Sequence, residues 1–106
     1  MPEMVRQQSW HVYVVQCSDD SFYTGITTNL ARRMAEHRSG KRGAKYLRGR
    51  EPLKYVFDFA VTNRSEASRL ESLIKRMPRR QKEEYLGDAK ALRAFLEAQL
   101  AGDGAQ

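Results

Sequence analysis

One cysteine, three prolines, one tryptophan and two histidines among 106 residues narrow what this chain can be. With Cys17 alone, neither an intramolecular disulfide nor a cysteine-rich metal site is available, which suits a reducing compartment and a cytoplasmic location. Long apolar runs are also missing. Val12 to Val15 is about the longest stretch without a polar residue, far short of the roughly 20 residues a membrane helix needs. The opening MPEMVRQQ has neither the basic nor the apolar segment of an export signal. No repeat or linker divides the chain, and its length suits one domain with a single core.

Acid is scarce in the middle of the chain. From Arg32 to Arg50 lie Arg32, Arg33, Arg38, Lys41, Arg42, Lys45, Arg48 and Arg50 against Glu36 alone, an excess larger than the net charge of +6 for the whole sequence. A charge concentrated in this way is what phosphate contacts require, because each neutralised phosphate releases counterions. A solvated basic loop without a partner is the alternative to that reading. A membrane surface is disfavoured, since no amphipathic helix or lipidation signal accompanies these residues.

The elements follow from pattern. Trp10 to Cys17 and Phe22 to Ile26 are rich in β-branched and aromatic residues, and SDDS between them supplies a turn, so a hairpin is expected. Asn29 to Ser39 is helical, capped by Thr28 or Asn29 and ended at Gly40, and a glycine-rich basic loop follows. Leu53, Tyr55, Phe57, Phe59 and Val61 alternate along a third strand, predicting one shared, buried face. Ser65 would cap a helix bearing Ala67, Leu70, Ile74 and Met77 on one stripe, with Pro78 ending or kinking it. Two helical segments, 79–86 and 89–101, complete the chain. The order β, β, α, β, α, α predicts an α+β fold: a small three-stranded, mainly antiparallel sheet covered by helices. The ends, 1–9 and 102–106, are expected to fray, with a domain over 10–87 and a C-terminal helix over 88–101 packed on it.

Spacing then singles out residues. At about 100° per residue, Arg33 and His37 fall beside the apolar stripe of Leu30 and Met34, while Arg32 falls on the far side. In the hairpin, Tyr13 and Tyr23 share a face only if the loop has an odd length. A three-residue loop, Ser18 to Asp20 with Asp20 in the left-handed region, opposes Val15 to Tyr23 and Tyr13 to Gly25. Tyr13 would then project beside a glycine that leaves space for it. Taken singly, each of these residues is more often packing than chemistry.

As an ordered set, HVY at 11–13, YTG at 23–25, Arg33 and His37 resemble the signature of the GIY-YIG nuclease superfamily, and SEASRLESLIKRM resembles its second helix. Over about residues 10–87 the match looks closest to the short stand-alone bacterial, YhbQ-type group. The resemblance implies a GIY-YIG-like sandwich and an endonuclease that hydrolyses nucleic-acid phosphodiesters with one divalent metal, Mg²⁺ or Mn²⁺. DNA is favoured over RNA, in repair or processing, with low sequence preference and room for a protein partner that targets it. Carried onto this chain, it implies Glu71 as metal ligand, Arg33 on the scissile phosphate, Tyr13 as base or water-ordering group, His37 as base or relay, and Tyr23 orienting substrate. Gly25 is structural at the site, and Arg38, Lys41, Arg42, Lys45, Arg48 and Arg50 grip the flanking backbone. Glu66 sits at the other edge of the same helical stripe; periodicity does not choose between it and Glu71, and the resemblance selects Glu71. A phenol acts as a base at neutral pH only if nearby cations lower its pKa. Two departures stand out: Asp20 occupies a position where the group commonly has glycine, and no asparagine follows Asn63. The alternatives are a non-catalytic nucleic-acid-binding module using the basic loop 38–50, and a small basic protein associated with RNA or ribosomes, in which Trp10, Tyr46 and Tyr55 stack on bases.

Overall fold

A computed structural model describes residues 9–39 and 52–104. Among them are three strands and four helices: β1 (Trp10–Cys17), β2 (Phe22–Thr27), α1 (Leu30–Ser39), β3 (Pro52–Val61), α2 (Arg64–Arg76), α3 (Arg79–Leu86) and α4 (Ala89–Gly104). The sheet runs β2-β1-β3, with β1 antiparallel to both neighbours. The fold is therefore the expected α+β arrangement. The expected frayed ends lie mostly outside the described residues, and α4 continues to Gly104 rather than ending at Ala101.

The hairpin register is the one the odd loop requires. Tyr13 pairs with Gly25 and Val15 with Tyr23. Asp20 has φ 67°, and its N–H donates to the Cys17 carbonyl at 2.9 Å, closing the loop. Aspartate can hold this left-handed conformation because its short polar side chain makes the region less costly than for most residues.

Because side chains alternate along β1, the sheet has two cores. Val12 and Val14 join Phe57, Phe59, Val61, Ala67, Leu70, Ile74, Leu92 and Leu96 on the face covered by α2 and α4. Tyr13, Val15 and Cys17 face the other way, under Leu30 and Met34 of α1. Truncating a fully buried leucine such as Leu70 to alanine would cost about 2–5 kcal/mol, a large share of a small domain's stability.

β3 departs from the expected alternation. Its pairing with β1 shifts between Val14 and Val15, so that Val14 faces Phe57 and Val15 faces Tyr55. Val56 is thus the extra residue of a bulge, which switches the face of whatever precedes it. Phe57, Phe59 and Val61 keep the expected face, whereas Tyr55 moves to the α1 side. The Leu53 side chain lies outside the described ones.

The start of α2 also differs from expectation. Asn63, not Ser65, is its cap: the Asn63 side chain accepts from the Glu66 N–H at 2.9 Å, and Glu66 Oε1 accepts from the Thr62 N–H at 3.0 Å. This reciprocal pairing satisfies two donors that Ser65, further into the helix, would leave open. Pro78 ends α2 rather than kinking it and stands as the first residue before α3.

Candidate active site

α1 is held where its polar edge overhangs the hairpin. Asn29, the second of the two expected caps, accepts from the Arg32 N–H at 2.9 Å, and the Tyr55 hydroxyl donates to the Leu30 carbonyl at 2.6 Å. The bulge that turned Tyr55 over thus anchors the first turn of the helix. Leu30 and Met34 seat on the sheet, which carries Arg33 and His37 over Tyr13. Arg32 points outward, its side chain 57% exposed against 23% for Arg33.

Three groups meet beneath that edge. The Tyr13 hydroxyl lies 3.0 Å from His37 Nε2, and Arg33 Nε donates to the same hydroxyl at 3.4 Å. Arginine has only donors, so the phenolic oxygen accepts from it and directs its single O–H at His37. His37 Nε2 is then the acceptor, and its proton sits on Nδ1, an assignment inferred from the network. Tyr13 is wholly buried and His37 nearly so. Burial, reinforced by the neighbouring Arg33 charge, pushes His37 down to about 4, so the ring is neutral at pH 7 and fit to accept.

Tyr13 does not meet the condition set for a base. Burial raises its pKa well above the ordinary phenol value, and the hydrogen bond and charge of Arg33 only partly oppose that. The phenol remains protonated at neutral pH. A phenol in that state can pass a proton along the Tyr13–His37 bond but is not suited to hold a negative charge.

Gly25 makes room for this hydroxyl. A Cβ on Gly25 would stand 2.5 Å from Tyr13 Oη and 2.8 Å from its Cζ, closer than real Cβ atoms come, and a tight 3.1 Å from Tyr23 Cε2. Tyr23 closes the cluster, its ring edge-on to His37 at 5.5 Å between centroids and tilted to Tyr13 at 6.3 Å. Tyr55 packs edge-on to Tyr13 from the other side at 5.3 Å. The structure thus brings Tyr13, Tyr23, Gly25, Arg33 and His37 together.

Glu71 stands apart, on α2 in the opposite layer. Its carboxylate pairs with Lys75 Nζ at 3.2 Å, and among the described residues no hydrogen bond joins it to the other four side chains. Lys75 provides the link: with Phe22, Tyr23, Thr24 and Lys82 it lines a pocket of about 250 Å³ at the free edge of β2. Tyr23 therefore belongs both to the Tyr13 cluster and to the pocket beside Glu71. Glu66 is engaged in the α2 cap.

Among the described residues no group of three or more His, Cys, Asp or Glu side chains gathers to hold a metal. A metal here would have one protein carboxylate, with water and substrate oxygens completing its shell, a donor set that fits Mg²⁺ and Mn²⁺. Arg38 lies exposed near the end of α1. Lys41, Arg42, Lys45, Arg48 and Arg50 lie outside the described residues.

Glu36 is a member of the cluster that sequence reasoning missed. It accepts from Arg33 at 3.0 Å and lies 3.9 Å from Arg32 Nε. The signal was present, because an acid three and four residues after two arginines shares their helix surface.

A model of the GIY-YIG catalytic domain matches residues 9–90. The chain belongs to the GIY-YIG family. Its Salmonella and Desulfotalea relatives carry the name UPF0213. The YhbQ protein of Salmonella paratyphi B is 44% identical over 87 residues, covering 82% of this chain and 86% of that one. A Desulfotalea psychrophila relative is 51% identical over 69 residues, 65% of this chain and 63% of its own length, so the chain spans just under two thirds of that protein. An E. faecalis protein solved in solution by NMR is 40% identical, with a TM-score of 0.55, covering 83% of this chain and 93% of that chain. The GIY-YIG words fall at His11-Val12-Tyr13 and Tyr23-Thr24-Gly25, on adjacent strands whose pairing sets Tyr13 against Gly25. Membership makes this a nuclease-type domain. No helix among the described residues is long and apolar enough to cross a membrane.

Proposed function

We propose that this chain is a metal-dependent endonuclease of the cytoplasm that hydrolyses phosphodiester bonds, acts on DNA in preference to RNA, and has little sequence preference. The observation that carries the proposal is the buried chain Arg33–Tyr13–His37, packed against the space Gly25 leaves open, in a domain of a nuclease-type family.

In this reading Arg33 exchanges Glu36 for a non-bridging oxygen of the scissile phosphate. Its fixed fork and permanent charge are worth most as the pentacovalent state gathers negative charge. Its movement also uncovers the Tyr13 hydroxyl. The attacking water then gives its proton to the phenolic oxygen as the phenol's own proton passes to His37 Nε2. A phosphate anion on Arg33 cancels part of the charge that holds the imidazole pKa down, so substrate binding itself makes His37 the better base. Tyr23 orients water or substrate from the β2 edge. Glu71, released from Lys75, would hold Mg²⁺ or Mn²⁺, which when bound supplies charge neutralisation at the phosphate and a more acidic water. Arg38 and the basic residues through Arg50 would grip the flanking backbone.

Incubation of the purified protein with labelled single-stranded, duplex and branched DNA, and with RNA, in Mg²⁺, Mn²⁺ or EDTA tests this. Cutting of DNA that EDTA abolishes is the expected result. Binding without cutting under every metal condition would leave a nucleic-acid-binding module in its place.

A further inference from the structure

The pocket at the β2 edge gathers more cationic charge than the chemistry above uses. Lys75 and Lys82 line it, and Arg79 stands beside it with its guanidinium 4.6 Å from the centre of the Phe22 ring. Two of these cations are matched: Lys75 pairs with Glu71, and Arg79 Nε with Glu83 at 2.8 Å. Lys82 is half-buried and has no carboxylate partner among the described residues. Burial, and then the charges of Arg79 and Lys75, depress its pKa below the ordinary lysine value. Three cations that repel one another in a partly desolvated place are relieved by an anion.

α3 is also placed with care despite burying no residue of its own. The Arg79 guanidinium donates to the Asp20 carbonyl at 2.8 Å, tying the helix to the hairpin loop. Phe22, under that guanidinium, and Tyr23 give the pocket aromatic walls beside the two lysines.

We infer that this pocket, with Lys82 as its principal group and Lys75 assisting, is a subsite for a second backbone phosphate of the nucleic acid, next to the scissile one. Tyr23 is the shared wall that makes the two adjacent: its ring touches Tyr13 and His37 and also lines the pocket. The subsite lies on the α2–α3 side of Tyr23, away from α1 and from Arg38 near its end. A strand would therefore be held on both sides of the reacting centre, with phosphate contacts fixing its register. A phosphate arriving at Lys82 also gives Lys75 an alternative to Glu71, freeing that carboxylate. The inference rests on the proposed nuclease reading for its ligand.

DNA binding measured in EDTA tests the subsite without requiring cleavage. Affinity for a labelled 12-nucleotide strand and the matching duplex would be followed against salt for wild type, Lys82→Gln, Lys82→Arg and, as a surface control, Lys90→Gln. Lys82→Gln is expected to weaken binding of every sequence alike and to flatten the log K against log salt slope by about one. Lys82→Arg and Lys90→Gln should retain the slope. Inorganic phosphate followed by NMR at Phe22 and Tyr23 separates sources: millimolar phosphate should shift these amides only weakly, and DNA strongly. If DNA binds and the Lys82→Gln slope equals wild type, the subsite is refuted while the nuclease reading stands. Saturation by inorganic phosphate as readily as by DNA would overturn it in favour of a free-anion site. If no DNA binds, both readings fall together.

Discussion

Lowering the pH should destabilise this protein through His37. In the unfolded chain the imidazole titrates near 6.5, and in the fold burial and the Arg33 charge bring it down to about 4. Above pH 6.5 both states hold a neutral ring, so the shift costs nothing. As pH falls through 6.5 the unfolded chain takes up a proton that the folded chain refuses, and stability is lost until the folded ring also titrates near 4. These two values give a loss of about 2 kcal/mol by pH 5 and about 3 kcal/mol in full. His37→Gln keeps a carbonyl acceptor for the Tyr13 hydroxyl and removes the titration. Urea unfolding of both proteins at pH 7.5, 6 and 5 measures the difference, since ΔG falls linearly with denaturant. His11 and every carboxylate remain in both proteins, so the gap between their profiles isolates His37. The reasoning fails if the two profiles run parallel between pH 7.5 and 5, or if wild type gains stability on acidification.

Gly25→Ala should destabilise by about 1–3 kcal/mol, because the new methyl meets the Tyr13 hydroxyl and ring carbon and the core must shift. Adding Tyr13→Phe should recover part of that loss, a coupling that a double-mutant cycle in urea reads directly. Asp20→Gly should stabilise by about 0.5–1 kcal/mol if relief of the left-handed strain outweighs the added freedom of the unfolded chain; a thermal scan showing a lower midpoint would contradict it. Asn63→Ala should cost about 0.5–2 kcal/mol by removing the α2 cap, measured the same way, whereas Ser65→Ala should leave the midpoint nearly unchanged.

The features legible in the sequence were those set by short-range rules. Loop parity fixed the pairing of Tyr13 with Gly25, and helical period separated Arg33 from Arg32; both concern residues within one hairpin or three turns of helix. The β3 bulge was not legible, since a run that alternates without interruption gives no sign that Val56 will be skipped, and the face of Tyr55 followed from it. The cap of α2 was misplaced because Ser65 and Asn63 are both good cap residues, and the choice turned on Glu66 reaching back to Thr62. The effect of burial on Tyr13 was invisible for another reason. Spacing shows which cation lies near the phenol, but the sign of its shift depends on how completely β3, α1 and Tyr23 exclude water from it. The β2-edge pocket joins β2 to α2 and α3, which lie far from it in sequence, and no local pattern announces that meeting.

The most direct test of the central claim is single-turnover cleavage of a labelled DNA duplex in Mg²⁺ by wild type, Arg33→Ala and Glu71→Gln, each at protein concentrations that saturate binding. The account predicts that Arg33→Ala cuts about 10²–10³-fold more slowly, that Glu71→Gln does not cut, and that both still bind. Cleavage by either variant at the wild-type rate would contradict the assignment of the catalytic centre to this cluster.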